Sequence, residues 1–256
     1  MLKGKTVIVT GVGGGLGREC VEAALREGAN VVMAARTKET LSAIENELGS
    51  ERLTSLSADI TDADACAELV SLARATFGRV DGLVQVAAYE NAWGGLWDFK
   101  PDEWRTAYDT NVLGALTLIR PVATAMKEGG GGSIVLIGSQ SQYIPQLPQA
   151  GYAASKGALL TTMYYLAHEL GPSNIRCNMV VPSWMWGPPV QMLVDYNAST
   201  KNITKEEAIN EIVGDFPLRR MTEDGEVADV AMFFTSDHAK AVTGQHLLVN
   251  SGEMFS

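Results

Sequence analysis

Short apolar segments alternate with segments of helical periodicity along most of the chain. The predicted strands are Thr6–Thr10, Asn30–Ala35, Leu53–Ala58, Gly82–Ala87, Ser133–Gly138, Ile175–Val181 and Leu247–Val249. The predicted helices are Arg18–Glu27, Lys38–Leu48, Asp62–Phe77, Asp102–Met126 and Tyr152–Leu170. Strands that alternate with helices form βαβ units, and continuously apolar strands are typical of buried parallel sheets. The pattern predicts an α/β fold: a doubly wound parallel sheet in a three-layer α/β/α sandwich, as a single domain.

One stretch, Pro182–Arg220, breaks this alternation. It carries two short helical segments between the sixth and seventh strands. Long insertions at such a point commonly cover a binding site. We therefore expect a substrate lid at about residues 183–220 of a domain that spans residues 1–256.

Charge and cysteine content narrow the classes of partner. The formal net charge of −10 disfavours nucleic acid and anionic membranes as partners. No apolar run approaches the ~20 residues of a membrane span, and the first residues lack the pattern of a signal peptide. Three widely spaced cysteines and three scattered histidines predict neither disulfides nor a metal site. These features predict a cytoplasmic protein without a metal.

A glycine-rich turn follows the first strand, with the spacing TGxxxGxG from Thr10 to Gly17. Bare backbone N–H groups and a helix N-terminus can approach a pyrophosphate there, where side chains would obstruct it. The predicted phosphate contacts are Gly11, Gly13, Gly14, Gly15, Leu16 and Gly17. A glycine-rich loop without a ligand is the alternative. With the alternating strands, the turn predicts an NAD(P)-binding domain of the Rossmann type.

Residues after the second and third strands bear on the choice of dinucleotide. NAD sites usually hold a carboxylate at the end of the second strand, but this chain has Arg36 and Thr37 there. A guanidinium suits a 2′-phosphate, which favours NADP(H) over NAD(H). Arg36 could instead be a solvated charge at a helix start. Asp59 is a candidate for the adenine amino group, or a loop carboxylate beside the next helix.

Tyr152 and Lys156 lie four positions apart at the start of a predicted helix, so both side chains share one face. A nearby ammonium group favours phenolate, so we expect Lys156 to lower the pKa of Tyr152. Ser139 follows the fifth strand, at the sheet edge where ligands bind, and could polarise a carbonyl group. Ser141 and Tyr143 are nearby competitors for these roles.

Together these motifs resemble the short-chain dehydrogenase/reductase family, in its compact single-domain branch. The resemblance covers essentially the whole chain. The matching positions are Thr10-Gly11-x-x-x-Gly15-x-Gly17, Asp59, Asn111, Ser139, Tyr152-x-x-x-Lys156, Asn178, Pro182, Pro217-Leu218-Arg219-Arg220 and Val242-Thr243-Gly244-Gln245.

The resemblance implies roles for several of these residues. Tyr152 would be the general acid/base, Ser139 would orient the substrate, and Lys156 would bind the nicotinamide ribose and tune Tyr152. Asn111 would hold a water of a proton relay. Further dinucleotide contacts would come from Ile60, Ala87, Ala88, Pro182, Ser183 and Met185. Like its relatives, the protein would form a homotetramer (or a homodimer) through its long helices.

The chain departs from the family pattern in four places. The usual Asn-Asn-Ala-Gly is Gln85-Val86-Ala87-Ala88, and the usual Pro-Gly is Pro182-Ser183. The threonine that contacts the nicotinamide amide in relatives is Gly187, so the Met185 backbone is the expected substitute. The usual Asp-Gly-Gly is Asn250-Ser251-Gly252.

Four of the five tryptophans follow carboxyl ends of strands: Trp93, Trp97, Trp184 and Trp186. With Ser141, they predict walls for a bulky apolar substrate, although they could instead pack the lid or a subunit interface. The sequence therefore predicts an NADP(H)-dependent oxidoreductase acting on a steroid-like, terpenoid or aromatic ketone or secondary alcohol. The alternatives are a 3-oxoacyl thioester reductase and a catalytically silent NADP(H)-binding regulator.

Overall fold

The computed structural model describes residues 1–98 and 100–255. Its sheet strands are β1 Thr6–Thr10, β2 Asn30–Ala35, β3 Leu53–Ser57, β4 Gly82–Gln85, β5 Gly132–Ile137, β6 Ile175–Pro182 and β7 His246–Val249. They form one sheet in the order β3-β2-β1-β4-β5-β6-β7, and every neighbouring pair is parallel. The predicted doubly wound parallel sheet is confirmed.

The helices on the two faces are α1 Leu16–Arg26, α2 Lys38–Leu48, α3 Ala63–Phe77, α4 Pro101–Tyr108, α5 Ala115–Glu128, α6 Ala150–Leu170, α7 Pro188–Lys201, α8 Lys205–Val213 and α9 Asp224–Thr235. Local capping explains several ends. The Asp62 carboxylate accepts hydrogen bonds from the N–H groups of Asp64 and Ala65 at the start of α3. Gly28, just beyond α1, has a φ of 90°, which favours glycine.

The long helix predicted over Asp102–Met126 is interrupted. Between α4 and α5, residues Asp109–Gly114 form a π-helical turn. At this turn the side chain of Asn111 is bonded to the backbone of Tyr89 and to Ser155. Such wide turns occur frequently at functional sites, and the apolar periodicity of the sequence does not reveal them.

Each face of the sheet carries its own apolar cluster, because successive strand residues point to opposite sides. Ile8 packs with residues of α3, α5 and α6. Val7 and Val9 pack with residues of α1, α2 and α9. Strands buried on both faces account for the uniformly apolar segments in the sequence.

The predicted lid contains α7 and α8, which share a separate apolar cluster. Its buried members are Val194, Ala208, Val213, Phe216 and Met221. The start of this segment is fixed by backbone hydrogen bonds between Thr222 and both Trp184 and Trp186. None of the helices in residues 1–98 and 100–255 is long and apolar enough to cross a membrane.

The strand order reverses between β1 and β4, so the crossovers on either side diverge and leave a crevice at the carboxyl ends of these strands. Every strand from β1 to β6 is followed by a residue that was predicted from the sequence to belong to the site. The fold therefore brings segments far apart in the chain to one edge of the sheet.

Candidate active site

A cavity of about 1230 Å³ opens along this edge. Pockets for small ligands typically measure ~300–1000 Å³, so it has room for a dinucleotide and a substrate together. Its lining includes all of the predicted cofactor positions: Gly11, Gly13, Gly14, Gly15, Leu16, Gly17, Arg36, Thr37, Asp59, Ile60, Ala87, Ala88, Tyr152, Lys156, Pro182, Ser183 and Met185.

Two glycines of the turn after β1 are required by the fold itself. Gly11 has a φ of 69°, and a Cβ there would stand 2.4 Å from the backbone nitrogen of Ala87. A Cβ on Gly17 would stand 2.3 Å from the carbonyl oxygen of Gly11. These residues let the turn lie flat against the end of β4, independently of any ligand.

Gly13 and Gly14 have no such structural cause. Neither has a positive φ, and a Cβ on either would meet no atom of the described protein within 4 Å. Both line the cavity. Their bare backbone suits a molecule that approaches from outside the chain, and the turn opens α1, whose N-terminus favours an anion. The turn therefore fits the pyrophosphate of a dinucleotide.

Arg36 and Thr37 lie at the end of β2, where both are exposed and line the cavity. Asp59 follows β3 and accepts hydrogen bonds from the backbone N–H and the hydroxyl group of Thr61, at 2.9 and 2.8 Å. The backbone bond is the main cause that lowers the pKa of Asp59, and Arg36 adds to it. A cationic side chain and an ionised carboxylate thus lie together where the adenosine half of a dinucleotide would bind.

Gln85 stands where the family pattern usually has asparagine, and its side chain forms two hydrogen bonds in this structure. The Thr10 hydroxyl donates to the Gln85 side-chain oxygen at 2.6 Å, and the Gln85 amide donates to the Ala87 carbonyl at 3.3 Å. The Ala87 N–H in turn donates to Thr10 at 3.4 Å. Gln85 therefore joins the ends of β1 and β4 beneath the cavity.

Asn111 lies in the π-helical turn and is 2% exposed. Its side-chain oxygen accepts from the N–H of Tyr89 at 2.7 Å, and its amide donates to the Tyr89 carbonyl and to the Ser155 hydroxyl. Both amide donors are thus engaged by protein. Asn111 ties the segment after β4 to α6. A role of Asn111 in a water relay would therefore have to use its own oxygen atoms.

Tyr152 and Lys156 lie one helical turn apart in the first part of α6, as their spacing predicts. The Lys156 ammonium group lies 5.6 Å from the centre of the Tyr152 ring and donates to the Ile137 carbonyl at 2.8 Å. The Ser139 hydroxyl, just beyond β5, lies 2.9 Å from that of Ser141 and is a hydrogen-bond partner of Tyr152. The structure brings the three predicted catalytic side chains together.

The protonation of this group differs from the sequence prediction. Burial raises the pKa of Tyr152 well above its ordinary value, Glu90 adds to the rise, and the bond to Ser139 opposes it. Burial also lowers the pKa of Lys156 to about 8. The prediction that the pKa of Tyr152 is lowered was wrong in its net direction, because burial of the phenol is the largest cause and raises that pKa. At neutral pH the phenol keeps its proton and can donate it.

The segment after β6 is held by the C-terminal residues. Ser183 and Gln146 each donate a hydrogen bond to Glu253. Glu253 thereby connects the loop before α6 with the start of the lid. No pattern in the sequence marks Glu253, since its role depends on two loops that meet only in the folded chain.

The predicted aromatic substrate residues separate into two pairs. Trp93 and Trp184 line the cavity, as does Ser141. Trp97 is 96% exposed and is not among the lining residues. Trp186 packs within the lid cluster, where the Lys205 ammonium group lies 5.8 Å from its ring centre. The folded chain thus places Trp97 and Trp186 away from the cavity wall.

Polar side chains also line the substrate end, and sequence reasoning missed them. They are Glu90, Asn91, Gln146 and Gln149. Their positions after β4 and before Tyr152, at the carboxyl edge of the sheet, were the available signal. Asp224, at the start of α9, was missed as well, because the sequence around it reads as an ordinary acidic helix start.

A family model described as enoyl-(acyl carrier protein) reductase matches residues 11–253. L-rhamnose 1-dehydrogenase (NAD(P)(+)) of Azotobacter vinelandii is 33% identical, over 98% of this chain and 97% of that protein. 7alpha-hydroxysteroid dehydrogenase of Escherichia coli is 30% identical, over 98% and 94%.

Among solved structures, a short-chain dehydrogenase/reductase of Brucella melitensis described as glucose/ribitol dehydrogenase superimposes with a TM-score of 0.88. It is 29% identical, and the match covers 100% of this chain and 98% of that one. The similarity is therefore full-length in sequence and in fold.

Proposed function

Because the chain belongs to the short-chain dehydrogenase/reductase family and is an NAD(P)-dependent oxidoreductase acting on alcohols or ketones, we propose that it uses NADP(H) and a bulky, largely apolar ketone or secondary alcohol. One observation carries the proposal. Ser139, Tyr152 and Lys156 meet in a cavity whose other end is the glycine turn and Arg36.

The dinucleotide, when bound, supplies or accepts the hydride. Gly13 and Gly14 would face its pyrophosphate, Asp59 its adenine, and Arg36 the 2′-phosphate that distinguishes NADP(H) from NAD(H). The absence of an acidic residue at the end of β2 supports this preference, since a carboxylate there would repel that phosphate.

In the direction of reduction, Ser139 donates a hydrogen bond to the substrate carbonyl oxygen and fixes its position. Tyr152 gives its proton to the same oxygen as the carbonyl carbon is reduced. Lys156, held by the Ile137 carbonyl, places a positive charge beside the phenolate that results. In the direction of oxidation, the same phenol must first lose its proton, which its raised pKa disfavours at neutral pH.

The apolar walls of the cavity support a bulky substrate. Trp93, Leu147, Trp184, Val190 and Leu193 line its outer part, the last three from the lid segment. Apolar walls of this size suit a ring system, and the hydroxysteroid dehydrogenase among the relatives is consistent with that.

A second candidate substrate class is a polyhydroxylated one. Glu90, Asn91, Gln146 and Gln149 supply donors and acceptors beside the catalytic residues, and the relative named for L-rhamnose supports this class. The 3-oxoacyl thioesters remain a third candidate, supported by the description of the matching family model.

The deciding experiment measures binding of NADPH and NADH, followed by NADPH oxidation with steroid, aromatic, sugar-derived and 3-oxoacyl ketones. We expect tighter binding of NADPH and the highest kcat/KM with a ring ketone. A preference for NADH or for sugar-derived ketones would contradict that part of the proposal. Tight binding without any turnover would favour the silent regulator instead.

We also propose a homotetramer in the cytoplasm. Exposed apolar side chains on the long helices support the assembly: Leu113 beside α5, and Tyr164 and Tyr165 on α6. Three buried free thiols, Cys20, Cys66 and Cys177, support a reducing compartment.

A further inference from the structure

Asp224 occupies an unusual position in the cofactor cavity. It is the first residue of α9 and lines the cavity. Its Oδ2 lies 3.2 Å from the place where a Cβ on Gly15 would stand, and 3.0 Å from that of a Cβ on Gly187. Gly15 and Gly187 are the N-caps of α1 and α7. The carboxyl group of Asp224 therefore lies among three helix N-termini, beside the turn that fits the pyrophosphate.

The other carboxyl oxygen of Asp224, Oδ1, is buried and has no hydrogen-bond partner within the described part of the chain. An unpaired buried oxygen of this kind is costly and calls for an explanation. The absent partner is the first indication that this group binds something beyond the chain.

The charged side chains that affect the pKa of Asp224 are themselves acidic. Glu19 on α1 and the adjacent Glu223 are acidic, and after burial they are the causes that raise the pKa of Asp224. The arginines closest in sequence to Glu19 and Asp224 have other partners: Arg18 bonds to Glu22 and Glu47, and Arg220 bonds to Glu226. Burial and like charge both favour the neutral acid, against the helix N-termini, which favour the ionised form.

We propose that Asp224 takes up one proton from solvent when the dinucleotide binds, and that its neutral carboxyl group donates a hydrogen bond to a phosphate oxygen. An ionised Asp224 would repel the pyrophosphate, whereas the protonated group satisfies the phosphate and its own buried oxygen at once. The inference rests on dinucleotide binding but not on the preference for NADP(H). It makes cofactor affinity depend on pH through a residue outside the catalytic group.

The direction of this pH dependence follows from the linkage between proton uptake and dinucleotide binding. Above the pKa of free Asp224, each unit of pH removes up to tenfold from the affinity, because one proton must be taken up for each dinucleotide bound. Below that pKa, affinity no longer changes with Asp224, since the group is already neutral.

The test is calorimetric titration of NADPH into the intact protein, in buffers of different ionisation enthalpy at pH 7.5, so that proton uptake is counted directly. The 2′-phosphate of NADPH titrates too, but equally in each variant, and cancels in the difference. We expect wild type to take up close to one proton more than Asp224→Asn. The Asn amide keeps a donor without a charge, so this variant should bind at least as tightly as wild type at pH 8.5. Asp224→Ala should bind more weakly than Asp224→Asn.

Equal proton uptake in wild type and Asp224→Asn would overturn the proposal. So would weaker binding by Asp224→Asn without proton uptake in wild type, which would mean that an ionised Asp224 accepts a hydrogen bond from the dinucleotide. Should Asp224→Asn not fold, the affinity of wild type for NADH, which lacks the 2′-phosphate, decides between pH 6 and 7.5, where Lys156 stays largely charged: no change over that range overturns the proposal. Failure of wild type to bind either dinucleotide would instead refute cofactor binding itself.

Discussion

At the scale of single residues, Tyr152 is the proposed proton donor. Tyr152→Phe removes the hydroxyl group and keeps the ring, so turnover should fall by roughly 100-fold or more, the usual contribution of a general acid. The affinity for NADPH should stay within about twofold, because the residues proposed to contact its phosphates and adenine lie at the other end of the cavity. Steady-state kinetics and fluorescence titration measure the two quantities. Turnover close to that of wild type would rule out Tyr152 as the acid.

Lys156 determines the expected pH profile of reduction. Its pKa of about 8 means that it is charged below pH 8 and loses its charge as pH rises through that value. Since the charge stabilises the phenolate left by Tyr152, kcat for reduction should decline above about pH 8. Lys156→Arg keeps the charge and should flatten this decline even if its maximal rate is lower. A wild-type profile that stays level to pH 9.5 would contradict this reading.

Arg36 is the residue proposed to favour NADP(H) over NAD(H). Arg36→Asp replaces a cation with a carboxylate, so the Kd of NADPH should rise about 10- to 100-fold, as expected for loss of a hydrogen bond between charged groups. The Kd of NADH should change much less. Arg36→Gln is the control for charge removal without repulsion. Equal effects on the two dinucleotides would show that Arg36 does not contact the 2′-phosphate.

These residues differ in how far the sequence alone identifies them. The spacing of Tyr152 and Lys156, and the position of Ser139 after a strand, mark them in the sequence because helix period and strand end fix where they point. Glu90 and Asp224 carry no such mark. The burial and the charged neighbours of Asp224 come from helices remote in sequence, so neither its raised pKa nor that of Tyr152 could be inferred from spacing.

At the scale of elements, the glycines of the turn after β1 serve two purposes: some are required by the fold, and others are expected to be required by the dinucleotide. Gly11→Ala should lower the free energy of unfolding by more than ~1 kcal/mol, because φ is positive and a Cβ would collide with Ala87. Gly13→Ala meets no atom, so stability should be unchanged or slightly higher, while NADPH affinity falls about tenfold through loss of a backbone contact. Chemical denaturation and NADPH titration of both variants distinguish the two roles. A Gly13→Ala protein with unchanged affinity would show that the phosphate does not lie against that residue.

The ends of the helices and strands were largely predictable from the sequence, since N-caps such as Asp62 and terminating glycines such as Gly28 act locally. The π-helical turn at Asp109–Gly114 was not. It accompanies the bonds of Asn111 to Tyr89 and Ser155, which are tertiary contacts without a counterpart in the apolar period.

At the scale of the whole molecule, the exposed face of α6 bears on assembly. Tyr165 is 74% exposed on this helix, and Met192 is 72% exposed on α7 of the lid. Tyr165→Asp should reduce the oligomer to smaller species, because a charge replaces an apolar contact at the proposed interface. Met192→Asp is the matched control and should leave the mass unchanged. Sedimentation or light scattering gives the mass; an unchanged oligomer in Tyr165→Asp would place the interface elsewhere.

The apolar cluster formed by α7 and α8 shares none of its buried residues with the two clusters that flank the sheet. Its composition can therefore drift under selection without disturbing the packing that holds the sheet together. The chain thus has two parts that can change in sequence independently: the scaffold, which must keep binding the dinucleotide, and the covering segment, which is free to diversify. A fold partitioned in this way lets new substrates be acquired at small risk to the framework.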